Sequence, residues 1–330
     1  MGRVFVTRAI PGDAPQLLES AGHDVVIWPG ELPPPRDALA RELAAADAAL
    51  TMVTDAIDRE LLVASPRLRI IANMAVGYDN VDPAVAAELG VWLTNTPGVL
   101  AETTADLAFG LLMAAARKIA LGDREARAGL WRTWSPTGYL GVDVHGATLG
   151  IVGLGEIGEA MARRARGFAM RVLYASRTRK PAVEAAIGVT WTGLDELLAN
   201  SDFVSLHVPL TAQTRGLIGA GQLARMKPSA ILVNTARGPV VDQDALVDAL
   251  RAGTIAGAAL DVTTPEPLPA DHPLFSFPNV VITPHIASAS NATRTKMARM
   301  AASNIIEVLA GRPPINPVNR PPQPRGPLPA

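Results

Sequence analysis

Residues 147–158 read Ala-Thr-Leu-Gly-Ile-Val-Gly153-Leu-Gly155-Glu-Ile-Gly158, and a helical pattern over 159–166 follows. An apolar strand thus enters a helix through a G-x-G-x-x-G turn, the context that separates a nucleotide-binding loop from a chance match. Gly153 permits the tight turn, Gly155 lets backbone approach a pyrophosphate, and Gly158 lets the helix pack close to the strand. The helix N-terminus then offers free N–H groups and the positive end of its dipole, with Leu154, Glu156 and Ile157 beside the phosphates. A chain organised around this turn is an α/β fold with a parallel sheet.

The rest of the chain agrees. At 330 residues two domains are expected, and 48% hydrophobic residues give each a core. Strand patterns over 3–7, 24–28, 48–53, 68–74 and 91–94 alternate with helical ones at 15–21 and 36–46. A long apolar helix over 103–121 follows, with Glu102, Thr103 and Thr104 supplying first-turn chemistry. A looser stretch, 129–146, holds Trp131, Trp134 and several glycines. A second alternation then places strands near 148–153, 171–175, 202–206, 230–234, 256–260 and 280–282, and a last helix over 292–310. From Arg312 onward the chain is crowded with proline and is expected to be extended or disordered.

Several function classes drop out. A formal net charge of −1 leaves no basic excess for nucleic acid or an anionic membrane. Without cysteine there is no disulfide, thiolate nucleophile or thiolate metal site. The longest apolar stretch, 107–116, is too short to span a bilayer, and the first residues lack a signal-peptide pattern, so a cytoplasmic location is expected. No pair of histidines or carboxylate cluster has metal-ligand spacing, which sets aside a metal-dependent hydrolase on a similar sheet.

The end of the second strand after the glycine turn chooses the cofactor. An NAD enzyme usually carries Asp or Glu there for the adenosine ribose. This chain has Ser176, Arg177, Thr178 and Arg179 instead: two guanidiniums and two hydroxyls, which suit a 2′-phosphate. NADP(H) is the expected cofactor, with NAD(H) possible should the segment be only a solvated basic turn.

A nicotinamide cofactor implies hydride transfer to or from a carbonyl carbon, and were the substrate an acid the chain would need a cation for its carboxylate, a proton donor for the carbonyl oxygen, and a carboxylate to keep that donor charged. Of the five histidines, His23, His145 and His272 lie away from strand ends that could face a ligand. His285 and His207 each follow a strand, where ligands of open α/β sheets bind, and position alone does not separate them. Arg237 and Glu266 also follow strands. A guanidinium can grip a carboxylate in a bidentate fork, and a carboxylate can favour a charged imidazole.

These segments resemble the D-isomer-specific 2-hydroxyacid dehydrogenases, most closely their glyoxylate/hydroxypyruvate reductase branch, from about Arg3 to Val318. The likeness rests on Ala75-Val-Gly-Tyr-Asp-Asn-Val-Asp82, Asn95-Thr-Pro-Gly-Val-Leu-Ala-Glu-Thr-Thr-Ala-Asp-Leu-Ala108, the glycine turn, Asn234-Thr-Ala-Arg-Gly238, Asp261-Val-Thr-Thr-Pro-Glu-Pro267 and Thr283-Pro-His-Ile286. The run from Thr263 to Leu274 carries the branch.

The resemblance implies two Rossmann-like or flavodoxin-like domains with parallel sheets. An NAD(P)-binding domain, 100–285, is inserted in a discontinuous substrate domain, 1–99 and 286–318, with a Pro-rich tail at 319–330. It implies Arg237, Glu266 and His285 as the catalytic triad. Val76 and Gly77 amides would cradle the substrate carboxylate, Leu100 would line the site, and Trp131 would reach into a neighbouring subunit of a homodimer. Thr104, His207, Val208, Pro209, Thr214, Thr235, Ala236, Asp261 and Ala287 join the glycine turn and 176–179 as cofactor contacts. Closure of a cleft between the domains would exclude water before hydride transfer.

Two positions depart from the family pattern: Glu156 replaces a usual Arg, and Ala287 a common Gly. Two other readings stay open. One is a sister dehydrogenase for phosphoglycerate, D-lactate or a branched 2-hydroxy acid, since pocket shape selects the side chain. The other is a dinucleotide-sensing binding protein like the family's corepressor relatives, against which stand the lack of a basic arm and of long extra tails.

Overall fold

Strands buried on both faces read as continuous apolar runs, and this chain uses two sets of them to build two parallel sheets. The computed structural model describes residues 1–326. The chain divides into one unit of Met1–Leu100 with the segment from Ser288 onward, and a second of Ala101–Ala287.

In the first unit β1 (Arg3–Val6), β2 (Asp24–Ile27), β3 (Ala48–Thr51), β4 (Ile70–Asn73) and β5 (Trp92–Thr94) form a sheet in the order β2-β1-β3-β4-β5. Phe5, Leu43, Leu68, Ile71 and Leu93 lie in one of its buried clusters. Strand β3 stops two residues short of the expected 53. The Asp55 carboxylate takes the Met52 N–H at 2.7 Å, and Met52 O accepts from Asp55 N at 3.0 Å, which turns the chain out of the ladder. The helix Asn291–Leu309 starts at Ser290, whose hydroxyl accepts from Thr293 N, and buries Met297, Ala301, Ile305 and Leu309 within this unit.

The proline-crowded segment carries neither helix nor strand, as expected, but its described part is docked rather than disordered. Val318 N donates to Leu93 O at 2.8 Å. The Asn319 side chain then imitates a strand: its Oδ1 accepts from Leu93 N at 2.8 Å, and its Nδ2 donates to Val91 O at 3.0 Å. Arg325 donates to the carbonyls of Ser65, Leu68 and Leu89. The tail therefore blunts the open edge of β5. Residues 327–330 of the expected tail lie outside the described residues. Asn319→Ala leaves the buried Leu93 N–H and Val91 carbonyl without these partners, and is expected to cost about 1–3 kcal/mol in denaturant unfolding. An unchanged midpoint would show that the edge is satisfied without the tail.

In the second unit β6 (Thr148–Val152), β7 (Arg171–Ala175), β8 (Thr190–Trp191), β9 (Phe203–Leu206), β10 (Ile231–Asn234), β11 (Gly257–Leu260) and β12 (Val280–Ile282) run parallel in the order β12-β11-β10-β9-β6-β7-β8. The chain winds outward from β6 through β7 to β8, then returns to β9 on the other side of β6. That reversal opens a crevice beyond the carboxyl ends of β6 and β9.

Two helices differ from expectation. The helix expected over 103–121 is two, Ala101–Ala116 and Ile119–Arg127, separated at Lys118, whose φ is +52°. Val142 N takes the Ala116 carbonyl at 2.9 Å, so that carbonyl is not left to continue the first helix. A Cβ on Gly141 would lie 2.2 Å from the same oxygen, so only glycine allows this approach. The helix after the glycine turn begins at Glu156, not 159. Among the described residues no helix is long and apolar enough to cross a membrane.

Candidate active site

The glycine turn is shaped by contact. A Cβ on Gly153, whose φ is +96°, would lie 2.6 Å from His207 O, and one on Gly158 would lie 2.3 Å from Gly153 O. Both positions therefore exclude a side chain. Gly155 meets nothing within 4 Å and leaves its backbone open to a ligand. It is also the N-cap of Glu156–Arg166, with no side chain capping the first-turn N–H groups. Leu154 is buried and Ile157 half-buried, while Glu156 is exposed in the first turn, where a carboxylate suits the helix dipole. Beyond β10 the buried Thr235 hydroxyl has no hydrogen-bond partner. An open glycine backbone, an uncapped helix start and an orphaned hydroxyl fit a bound dinucleotide.

The segment after β7 corrects the expectation of two available guanidiniums. Arg179 forks onto Glu184 (Nε–Oε1 2.9 Å, Nη2–Oε2 2.8 Å), which also accepts from Tyr174 at 2.7 Å. Arg179 and Tyr174 together hold the Glu184 carboxyl down at about 2, so Arg179 is committed at neutral pH. The Ser176 hydroxyl donates to Thr178 O at 2.6 Å. Arg177 is exposed and has no ion pair among the described residues.

Three loops at the carboxyl ends of β10, β11 and β12 carry the proposed triad. After β10, buried Asn234 folds the turn: its Nδ2 donates to Arg237 O at 2.9 Å and its Oδ1 accepts from Ala236 N at 3.0 Å. Arg237 Nη1 donates to Ala236 O at 2.9 Å. A Cβ on Gly238 would lie 1.9 Å from Thr263 O, so only glycine lets this loop pass the one carrying Glu266. Gln243 clamps that second loop, accepting from Thr264 N at 2.9 Å and donating to Thr264 O.

His285 follows β12 with φ +53°, a left-handed conformation that disfavours a side chain. Asp261 holds it there. The buried carboxylate accepts from Thr283 Oγ1 at 2.6 Å, Ile286 N at 2.8 Å and Ala287 N at 2.8 Å, while Asp261 O accepts from His285 N at 2.9 Å. His285 Nδ1 then meets Glu266 Oε1 at 2.5 Å, and Nε2 makes no hydrogen bond among the described residues.

The other histidines separate cleanly. His207 Nε2 lies 2.9 Å from Ser205 Oγ, and desolvation pushes the imidazole down to about 4, so it is uncharged near pH 7 and is not the imidazolium acid a carbonyl oxygen would need. His272 Nδ1 caps a short turn from Leu274 N, His23 accepts from Gly2 N, and His145 is exposed. Thr214 binds Pro209 O at 2.6 Å and folds its own loop, Val208 is half-buried there, and Thr104 is buried on Ala101–Ala116. Trp131 is 68% exposed in a stretch without regular structure. Val76, Gly77 and Leu100 belong to the first unit. Sequence reading missed Gln243, which no motif marks, and the anchoring of the His285 loop by Asp261. Among the described residues no cluster of His, Asp or Glu could hold a metal ion.

Residues 109–287 match the model of the D-isomer specific 2-hydroxyacid dehydrogenase NAD binding domain. The chain is 52% identical over 319 residues to a glyoxylate reductase of Korarchaeum cryptofilum, covering 96% of each. Among solved structures it is similar to a protein from Thermus thermophilus, with TM-score 0.91 and 48% identity over 96% of this chain and 99% of that one. It is also similar to an NADPH-dependent glyoxylate/hydroxypyruvate reductase of Sinorhizobium meliloti in complex with NADP and malonate, with TM-score 0.84 and 34% identity over 99% of both chains.

Proposed function

The chain belongs to the D-isomer specific 2-hydroxyacid dehydrogenase family and is an NAD(P)-dependent oxidoreductase, and from that premise we propose that it reduces glyoxylate and hydroxypyruvate to their 2-hydroxy acids, with NADPH as the preferred cofactor. The observation that carries the reading is the His285–Glu266 pair, at 2.5 Å, with the loop of Glu266 packed against the turn that bears Arg237. The relatives named for glyoxylate support the substrate class.

When bound, the cofactor supplies hydride to the carbonyl carbon. The chain supplies the rest. Arg237 holds the substrate carboxylate and polarises the carbonyl. His285 gives the Nε2 proton to the carbonyl oxygen, and Glu266 at Nδ1 fixes the orientation of the ring. The Val76 and Gly77 amides take the carboxylate, and Leu100 borders it. Trp131, left exposed by its own subunit, completes the site of a second copy in a homodimer.

The NADPH preference rests on Arg177 as the guanidinium for the 2′-phosphate, since Arg179 is engaged by Glu184. Arg177→Ala is expected to raise KM for NADPH roughly 10–100-fold, the loss of one charge-assisted contact, while NADH use holds steady. Ser176→Asp should act in the same direction. Initial rates with each cofactor, against glyoxylate and hydroxypyruvate, test the whole reading. Faster turnover with NADH would keep the enzyme and remove the 2′-phosphate argument. No turnover with either acid would remove the substrate assignment and point to bulkier 2-oxo acids.

A further inference from the structure

The loop after β4 presents two consecutive N–H groups, and the loop after β5 aims them. Ala75 O accepts from Thr96 N at 2.9 Å, and Val76 O accepts from Asn95 Nδ2 at 2.8 Å. In a trans peptide the C=O and N–H lie on opposite sides. Holding the Ala75 carbonyl therefore turns the Val76 N–H the other way, and holding the Val76 carbonyl does the same to the Gly77 N–H. Neither N–H donates to a protein atom among the described residues. A third contact secures the end of the turn: Asn73 Nδ2 donates to Gly77 O at 2.9 Å. Asn73 is itself buried, bonded to Thr51 Oγ1 at 3.2 Å and Asn80 Oδ1 at 3.2 Å. Asn80 in turn donates to Met52 O and Asp55 O.

Two half-buried N–H groups side by side, with their carbonyls taken from behind, form a concavity for an anionic oxygen. We propose that Asn95 is a positioning residue for substrate carboxylate binding, acting through the Val76 peptide rather than by touching substrate. This rests on the reading above, in which those two amides cradle the carboxylate. The amide side chain adds what a backbone contact alone does not. Thr96 N fixes one peptide plane, and without Asn95 the next plane is free to rotate about the Val76 backbone and withdraw the Gly77 N–H. The neighbouring Asn73–Asn80 network ties the turn to β3 and β4 but touches neither of the two carbonyls concerned.

A carboxylate is held alike before and during reaction, so losing part of its cradle removes uniform binding, which raises KM and spares kcat. Asn95→Leu keeps the approximate size and deletes the amide. It is expected to raise KM for glyoxylate about tenfold, the loss of roughly one hydrogen bond to a charged group. The dissociation constant of oxamate, a non-reacting carboxylate, should rise by the same factor in calorimetric titration of the enzyme saturated with NADP(H). Turnover number and cofactor affinity should stay within about twofold of wild type. A merely structural role would lower the melting temperature and the active fraction while leaving KM and oxamate affinity unchanged, and that result overturns the proposal. If Asn95→Leu does not fold, Asn95→Ala, which only truncates the side chain, is put through the same titration. Absence of turnover by the wild-type enzyme would count against the glyoxylate reading, whereas the oxamate titration would still decide the role of Asn95.

Discussion

Replacing His285 with alanine is expected to lower kcat for 2-oxo acid reduction by about 10²–10⁴-fold, the usual worth of a positioned general acid. The ring's two nitrogens have separate duties. Nδ1 is occupied by Glu266, and Nε2 is the atom left to face a reacting group. No other histidine can substitute, because His207 is held neutral by burial and the remaining three are tied into turns or lie away from the strand ends. The substitution changes the backbone cost little, since histidine and alanine both place a Cβ at φ +53°. Cofactor affinity, read by fluorescence titration, should hold within a few-fold. Stopped-flow single turnovers measure the chemical step directly. A variant that retains a tenth or more of the wild-type rate would falsify the assignment of His285 as proton donor. Glu266→Gln should fall between wild type and His285→Ala, because a neutral amide can still hold the ring but makes a weaker hydrogen bond to it than a carboxylate does.

Much of this was legible in the sequence, for reasons that can be named. The glycine turn is readable because each glycine answers a steric demand, and the contacts at Gly153 and Gly158 are the ones that demand would produce. The parallel sheets were readable because strands buried on both faces leave unbroken apolar runs. Helix breaks were not. The interruption at Lys118 depends on Gly141 and Val142 arriving from well downstream in the chain to take the Ala116 carbonyl, and no local pattern encodes that visit. The docked tail was hidden for a similar reason: proline excludes regular structure but says nothing of where an asparagine side chain can stand in for a strand. At the site, residue types pointed to a donor, a cation and a carboxylate, but two histidines fitted the donor equally. The desolvation of His207 and the 2.5 Å contact of His285 with Glu266 favour His285. The charge after β7 is misread from sequence because Arg179 looks available until Glu184, five residues on, claims it.

Asp261→Asn is expected to reduce kcat about 10²-fold while the protein stays folded, the scale of effect that follows a shift of roughly 1 Å in a catalytic group. The carboxylate has three donors to satisfy and no hydrogen to place. Oδ1 receives Thr283 Oγ1 and Ile286 N, and Oδ2 receives Ala287 N. An amide offers one oxygen and one NH₂. With the oxygen at the Oδ1 position, the NH₂ opposes the Ala287 N–H; reversed, it opposes the Ile286 N–H. In either rotamer one backbone donor beside His285 loses its partner, at about 1–3 kcal/mol. The left-handed conformation of His285 itself costs about 1–2 kcal/mol for a residue with a Cβ. It survives because the residues on either side of it are pinned to one buried carboxylate. Weaken that pin and the two costs add, which favours relaxation of the loop toward extended backbone and carries the imidazole away from Glu266. The melting temperature should fall by a few degrees at most. A variant with wild-type kcat and a lowered melting temperature would mean that Asp261 secures the fold and that the His285 loop keeps its shape without it.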